Sequence, residues 1–267
     1  MGHYPLMTVL RYTDAPSACE CYRRAWRGAP RQSMLRRTGR GPAMTAARRF
    51  LAVLPEPAYD RIAAIWYPRK IARSTLADEP DLSVLPHYVG RGDVCIDAGA
   101  CIGLYTKHLS RLAGDTGRVI AFEPNPRTFR YLTATAKHLA LANVELRNAA
   151  LSDRSGFVAI DAHKSGRLED PYRSRVVAGA GIRCESIDDL RLSRLRFLKM
   201  DVEGHEARVL HGCAATLARC RPVVMAEANR EAHAFMLESG YDAFSTHSGR
   251  LQPFTHPTTN VWYLPRN

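Results

Sequence analysis

The chain has 267 residues, of which 46% are hydrophobic and 24% charged, and a formal net charge of +12 at pH 7. These values fit a soluble globular protein with a full core and an appendage, and no apolar run reaches the roughly 18 residues that a membrane-spanning helix needs. The N-terminus lacks the apolar segment and cleavage site of a secretion signal. The seven cysteines include no C-x-x-C pair, so we expect a cytoplasmic protein with reduced thiols.

The N-terminal part of the chain is strongly basic. Residues 22–50 contain nine arginines and no acid. Such a block is typical of a solvated arm, and it also permits weak contact with nucleic acid or an anionic membrane surface. We predict a disordered basic arm over residues 1–43.

A helical extension, or lid, is predicted over residues 44–90. Three large apolar side chains there are spaced for one face of a helix: Ile62, Ile65 and Trp66. This face is expected to cap the core or to cover the cofactor site. Further on, Asp81 or Ser83 is expected to cap a short helix that ends near Gly90.

From residue 91 to 267 the chain alternates between strand-like and helix-like segments. The main strands are predicted at 94–96, 117–124, 143–151, 195–201 and 222–227, and helices after Gly103 and at 126–141, 206–217 and 230–239. Residues 157–160 are expected to form a hairpin excursion with 175–177 and 182–184, and 241–245 and 261–264 an antiparallel pair at the sheet edge. This alternation predicts an α/β domain with a mostly parallel sheet and helices on both faces.

The stretch around Asp97, Gly99 and Gly103 opens that domain as a strand, a glycine turn and a helix. A dinucleotide fold requires G-x-G-x-x-G, but Cys101 and Leu104 stand where its second and third glycines belong. Asp97 would also place a negative charge near a diphosphate. The pattern D-x-G-x-x-x-G therefore favours a cofactor with a positive end and no phosphate, namely S-adenosylmethionine.

Glu123 ends the second predicted strand, 24 residues after Gly99. This is close to the spacing at which an acid binds ribose hydroxyls in nucleotide-binding folds. A carboxylate accepts both vicinal hydroxyls in charge-assisted hydrogen bonds. We therefore predict that Glu123 binds the ribose of the cofactor; the alternative is a surface glutamate before a proline turn.

Several blocks of this sequence together resemble the FkbM-type methyltransferases. They are Asp97–Gly103, Ala121–Pro126, Asn148–Asp153, Leu198–Glu206 and the closing Asn260–Pro265. The resemblance covers about residues 90–265. It implies a class I Rossmann-like fold with a mostly parallel seven-stranded sheet, S-adenosylmethionine as cofactor, and O-methylation of a hydroxyl on a sugar, lipid or secondary metabolite.

The same resemblance implies cofactor contacts at four further positions: Ala100, Cys101, Asn148 and Ala149. One of them departs from the family, which usually has asparagine where this chain has Cys101. A thiol is a weaker hydrogen-bond partner than an amide, so the contribution of this residue to cofactor binding is in question.

Acids after the fourth and fifth main strands are the candidate catalytic residues. Asp201 and Glu203 are expected near the transferring methyl group, as base or as the group that orients the hydroxyl, with Glu227 assisting. His205 is another acceptor for the hydroxyl proton. The alternative is that Glu203 and Glu206 only favour the start of the next helix. No metal is predicted, because Asp201, Glu203 and His205 do not follow a recognised ligand spacing.

Other functions stay open at this point. The chain would be a binding protein if it were a non-catalytic nucleotide-fold scaffold that holds nucleic acid or membrane through its basic arm. An NAD-linked oxidoreductase fits less well, because of the missing glycines. The partner expected from the main hypothesis is a small molecule or glycan that offers a hydroxyl.

Overall fold

A computed structural model describes residues 54–165, 168–255 and 259–266 of the chain. The predicted arm over residues 1–43 lies outside the described residues, and the division into arm, extension and domain stays a prediction. The helices are α1 (Glu56–Arg73), α2 (Pro80–Val84), α3 (Leu104–Ala113), α4 (Pro126–His138), α5 (Glu206–His211), α6 (Ala214–Cys220) and α7 (Arg230–Glu238). The strands are β1 (Val94–Ala98), β2 (Arg118–Phe122), β3 (Val144–Arg147), β4 (Ala150–Leu151), β5 (Gly156–Ser165), β6 (Leu168–Glu185), β7 (Phe197–Met200), β8 (Val223–Glu227), β9 (Tyr241–His247), β10 (Arg250–Pro253) and β11 (Asn260–Pro265).

The main sheet has the strand order β10-β9-β11-β8-β7-β1-β2-β3. The five strands from β8 to β3 in that order are parallel, and β11 runs antiparallel to both β8 and β9. The predicted class I Rossmann-like α/β fold is confirmed. The predicted number of seven strands is corrected to eight in this sheet, because β10 pairs with β9 outside the expected antiparallel pair.

Side chains of the central strands alternate between two cores, as the twofold repeat of a strand requires. One core holds Ile96, Leu198 and Val224 against α5, α6 and α7. The opposite core holds Cys95, Phe197, Met225 and Trp262 against α2 and α3. Both faces of the sheet are thus covered, which explains why these strands appear in the sequence as continuous apolar runs.

A second sheet of three strands, ordered β4-β6-β5, stands beside the first. The predicted hairpin is confirmed, since Phe157 pairs with Arg183 and Ile160 with Val176 across a register shift. The strand predicted over 143–151 is instead divided into β3 and β4, which belong to different sheets. The chain bends between them at Asn148, whose side-chain amide donates to the carbonyl of Glu123 at 2.8 Å.

The helix predicted over 206–217 is also divided, into α5 and α6. A Cβ atom on Gly212 would lie 2.1 Å from the carbonyl oxygen of Ser152, so the backbones touch at this point. The carbonyl of Gly212 accepts a hydrogen bond from the Asp188 N–H at 2.9 Å. The contact between these segments therefore overrides the helical periodicity.

The extension is helical, but the expected inner face of α1 is wrong. Its buried side chains, Ala63, Tyr67 and Ile71, pack against Ile102 and Tyr131. The three side chains predicted to face the core or the cofactor are exposed to solvent instead: Ile62, Ile65 and Trp66.

Asp81 does not cap α2, and the side chain of Ser83 does not do so either. The Asp81 carboxylate instead accepts hydrogen bonds from Thr246 at 2.5 Å, Asn260 at 2.8 Å and Trp262 at 2.7 Å. The extension is thereby fastened to the antiparallel side of the sheet.

Within the described part of the chain, no helix has the length and apolarity to cross a bilayer, and the cytoplasmic location stays a prediction.

Candidate active site

The turn after β1 and the end of β7 touch each other. These strands are parallel neighbours, with Asp97 opposite Lys199 and Ala98 opposite Met200. A Cβ atom on Gly99, whose φ is +74°, would lie 1.9 Å from the carbonyl oxygen of Asp201. Only glycine permits this approach, so the predicted turn and the predicted catalytic acid are brought to one place.

Asp97 is completely buried behind this turn. One of its carboxylate oxygens accepts a hydrogen bond from the Thr106 hydroxyl at 2.6 Å, and the other lies 3.2 Å from Nζ of Lys199. Lys199 also donates to the carbonyl of Gly99 at 2.7 Å. The Asp97 carboxylate is thus paired with a cation inside the protein. Lys199 in turn holds the glycine turn through the carbonyl of Gly99.

Lys199 is a residue that the sequence analysis missed. Burial disfavours its charge, but Asp97 and Asp201 outweigh burial and keep its pKa above the usual value. A lysine inside the apolar strand Phe197–Met200 was the available signal. A buried charge needs a partner, and the nearest acid at a neighbouring strand end is Asp97.

Glu123 lies at the end of β2 with only 5% of its surface exposed. Its carboxylate accepts the backbone N–H of Cys101 at 3.0 Å and that of Asn125 at 2.9 Å. Burial raises its pKa to about 7, although both hydrogen bonds act in the opposite direction. Glu123 is thereby joined to the glycine turn, and its role in binding ribose stays a prediction.

A cleft that is open to solvent lies at this edge of the sheet. Six of its lining residues were predicted as site residues: Gly99, Cys101, Glu123, Ala149, Asp201 and Glu203. Five others do not line it: Asp97, Ala100, Gly103, Asn148 and Glu227. The Asn148 side chain donates a hydrogen bond to the backbone carbonyl of Glu123. Gly103, with φ of +95°, is the residue before α3.

The chemistry of this lining discriminates between cofactors. Its charged groups are the carboxylates of Glu123, Asp201 and Glu203, and among the described residues that line it there is no lysine or arginine. A diphosphate would be repelled by such a surface. A nucleoside with a positive end and free ribose hydroxyls fits it.

Asp201 and Glu203 line the cleft, and together with Glu206 they act on the charge of Glu227; these four acids are called the carboxylate cluster. Burial, followed by the charges of Asp201, Glu203 and Glu206, raises the pKa of Glu227 to about 8, while Arg175 on β6 lowers it. Glu203 has a left-handed backbone with φ of +53°. Such strain and such a shifted pKa are concentrated at functional sites.

The sequence matches the Methyltransferase FkbM domain over residues 97–244. This chain belongs to the FkbM methyltransferase family. The match includes the glycine turn, Glu123 and the whole carboxylate cluster. Membership confirms the family predicted from the sequence, and with it S-adenosylmethionine as the cofactor.

A curated relative of this FkbM methyltransferase is the hexuronic acid methyltransferase AglP of Haloferax volcanii. The two sequences are 30% identical over 141 residues, which are 50% of this chain and 55% of AglP. The chain therefore spans about half the length of the curated relative that it matches.

Two crystal structures with similar architecture have lower sequence identity. The FkbM methyltransferase of Methylobacillus flagellatus is 16% identical, with a TM-score of 0.47 over 82% of this chain and 60% of that one. Fibrillarin of Aeropyrum pernix, solved with bound S-adenosylmethionine, is 14% identical, with a TM-score of 0.40 over 66% of this chain and 68% of that one.

His205 stands at the start of α5, two residues after Glu203. Its Nε2 lies 2.9 Å from the Ser152 hydroxyl. Burial, together with the charge of Arg208, lowers its pKa. Its role as an alternative proton acceptor for the acceptor hydroxyl stays a prediction. Among the described residues there is no group of three or more side chains suited to hold a metal ion.

Glu79 is a second group that sequence reasoning missed. It precedes α2, and its carboxylate accepts a hydrogen bond from the Tyr105 hydroxyl at 3.1 Å. Burial raises its pKa, and the charges of Asp81 and Asp201 act in the same direction. The Tyr105 ring in turn lies 5.4 Å from Nζ of Lys199. The extension thus places an acid close to Lys199 at the candidate active site. No local motif in the sequence predicts this acid.

Proposed function

We propose that this chain is an S-adenosylmethionine-dependent O-methyltransferase that acts on a hydroxyl of a sugar, lipid or secondary metabolite. The observation that carries the proposal is the cleft at the ends of the parallel strands, which is lined by the carboxylates of Glu123, Asp201 and Glu203. S-adenosylmethionine, when bound, supplies an electrophilic methyl group on its sulfonium. The residues of the chain have to hold that cofactor, align the acceptor and take away its proton.

Glu123 and the glycine turn are the proposed cofactor-binding groups. Each oxygen of the Glu123 carboxylate accepts one backbone N–H and keeps a second lone pair for a ribose hydroxyl. Gly99, Cys101 and Ala149 supply the wall around it. Asp97, paired with Lys199, keeps the turn in shape instead of contacting the cofactor directly.

Glu227 is the proposed general base, and Asp201 and Glu203 orient the acceptor hydroxyl. A base works best when its pKa lies near the pH of the reaction. An ordinary glutamate is too weak a base for a hydroxyl, whereas the acids around Glu227 raise its affinity for a proton. The cluster therefore acts as one unit, in which Asp201 and Glu203 have two effects: they bind the acceptor and strengthen the base.

A sugar is the acceptor class best supported. AglP is named for its action on a hexuronic acid, and the carboxylates of the cluster suit hydrogen bonds to several neighbouring hydroxyls. A hexuronic acid offers both hydroxyl and carboxylate oxygens to a methyl donor. Only the hydroxyl requires a base, so Glu227 favours formation of an ether over an ester.

Calorimetric titration with S-adenosylhomocysteine tests the cofactor site. We expect the wild-type chain to bind, and Glu123→Ala to weaken binding by about 10–100-fold, because two charge-assisted hydrogen bonds are lost. Glu231→Ala, an exposed acid at the start of α7, is the matched control. Absence of binding by a folded wild-type chain, or equal binding by the Glu123 variant, would reject the site.

Incubation with methyl-labelled cofactor and glycan extracts tests the reaction. Label in a product that survives mild alkali indicates a methyl ether, whereas an ester would release it. Glu227→Gln is expected to abolish the ether while S-adenosylhomocysteine still binds. Alkali-labile product, or full activity of Glu227→Gln, would show that Glu227 is not the base.

A further inference from the structure

The outward face of α1 carries large apolar side chains in contact with solvent. Ile62 is 43% exposed, Ile65 57% and Trp66 55%. Ile62 stands three residues before Ile65 and four before Trp66, so the three side chains lie on one face of an 18-residue helix. This apolar trio has no role in the core or in the cleft.

Basic side chains share the same face. Arg61, Arg69 and Arg73 are exposed; Arg61 directly precedes the apolar trio, and Arg69 and Arg73 follow Ile65 by about one and two helical turns. Within residues 54–165, 168–255 and 259–266, no ion pair involves any of these arginines. Lys70 extends over the Trp66 ring, with Nζ 5.5 Å from its centroid.

The other face of α1 fixes this orientation. Ala63, Tyr67 and Ile71 are buried against the domain. The helix acid Asp60 also points inward, where it accepts a hydrogen bond from Arg127 at 2.7 Å and pairs with Arg130. Rotation of α1 to bury the trio would break these contacts, so the exposed face is a stable property of the fold.

We propose that this face of α1 docks on the surface of an anionic lipid bilayer. A helix that lies in the interface needs one apolar strip with an aromatic anchor and flanking lysines or arginines, and α1 presents that set outward. The trio enters the boundary between headgroups and acyl chains, and the three arginines contact lipid phosphates.

Charge complementarity favours an anionic bilayer, and not the basic arm of the same chain, as the partner of this face of α1. Residues 22–50 contain nine arginines and no acid. An arm of that composition repels a face that itself carries Arg61, Arg69 and Arg73, whereas an anionic surface attracts both. Nucleic acid would satisfy the arginines but would leave Ile62 and Ile65 in water, so it fits less of the surface.

Co-sedimentation of the full chain with lipid vesicles tests the proposal. The wild-type chain is expected to sediment with vesicles of equal parts phosphatidylglycerol and phosphatidylcholine, and far less with phosphatidylcholine alone. Ile62→Ser, Ile65→Ser and Trp66→Ser combined should weaken binding to the anionic vesicles by at least about tenfold. Phe157→Ser, at an exposed apolar residue of β5 (69% exposed), is the matched control and should bind as the wild type does.

A second variant separates the two components of the surface. Arg61→Gln, Arg69→Gln and Arg73→Gln combined should weaken binding and reduce its dependence on salt. Unchanged binding of the apolar variant, with its thermal stability intact, would overturn the proposal and assign vesicle binding to charge elsewhere. Displacement of bound chain from vesicles by a DNA duplex, with the apolar variant binding that DNA normally, would favour nucleic acid as the partner and overturn it as well.

Discussion

Glu227 connects the chemistry of the site to the stability of the fold. Its pKa in the folded chain is about 8, against 4.5 as the ordinary value, because of burial and the three neighbouring acids. Between these two pH values the folded chain holds a proton that the unfolded chain releases. The free energy of unfolding therefore falls as pH rises from about 4.5 to about 8.

We predict that Glu227→Gln is more stable than the wild type in alkali. The variant carries no charge to bury, so its free energy of unfolding at pH 9 should be higher by about 1–3 kcal/mol, and the difference should vanish near pH 4. Urea denaturation at both pH values measures it. Glu231→Gln, at an exposed site, is the control. Equal stability of Glu227→Gln and the wild type at pH 9 would show that neither burial nor the surrounding acids raise the pKa of Glu227.

The local motifs predicted Glu123, Asp201 and Gly99 because parallel strands bring their carboxyl ends to one edge of the sheet. That rule depends only on strand order along the chain. Lys199 and Glu79 could not be predicted by this rule, for two different reasons. Lys199 lies within a strand whose other residues are apolar, and Glu79 reaches the site through the tertiary packing of the extension.

At the scale of the elements, α1 shows how periodicity alone misleads. Two faces of this helix carry apolar side chains, and the sequence gives no reason to choose between them. In the structure the face with Ala63 and Tyr67 is the buried one. Asp60 lies on the same side and pairs with two arginines on α4. The choice therefore depends on residues about 70 positions further along the chain and could not be predicted locally.

The contact of Asp81 with the sheet yields a second prediction. Its carboxylate accepts hydrogen bonds from three side chains, including the indole N–H of the buried Trp262. Asp81→Ala should lower the free energy of unfolding by about 2–3 kcal/mol, since a buried donor loses its acceptor. Asp81→Asn keeps one acceptor oxygen and should cost about half as much. Chemical denaturation provides the comparison.

A matched acid lies three residues earlier. Within the residues that the structure describes, Asp78 accepts hydrogen bonds only from Thr75 in its own loop, so Asp78→Ala should change stability by less than about 1 kcal/mol. The result that would contradict the assigned role of Asp81 is an equal loss in the two alanine variants.

At the scale of the whole molecule, the charge of the cleft is opposite in sign to the net charge of the chain. The formal net charge is +12, yet the charged lining of the cleft consists of Glu123, Asp201 and Glu203. Phosphate groups are thus repelled from the cleft while the outer surface attracts anions. This difference in sign fits both proposals, a cleft for a phosphate-free nucleoside and an outer helix that binds an anionic surface.

The cleft is also shared between two sheets. Gly99 and Glu123 belong to the main sheet, whereas Val176 on β6 and Leu151 on β4 belong to the three-stranded sheet. A ligand in this cleft touches both. We therefore predict that S-adenosylhomocysteine stabilises β6 around Val176 as well as the turn after β1.

Hydrogen exchange followed by mass spectrometry measures this coupling. At a ligand concentration 100 times the dissociation constant, amides that exchange through opening of the cleft should slow by up to about 100-fold. We expect the slowing in peptides that contain 97–103 and 175–178, and none in α6, which precedes β8 and so lies at the opposite end of the parallel strands. Protection of the turn alone, with exchange in 175–178 unchanged, would mean that the ligand is held by the main sheet and that the hairpin only borders the cleft.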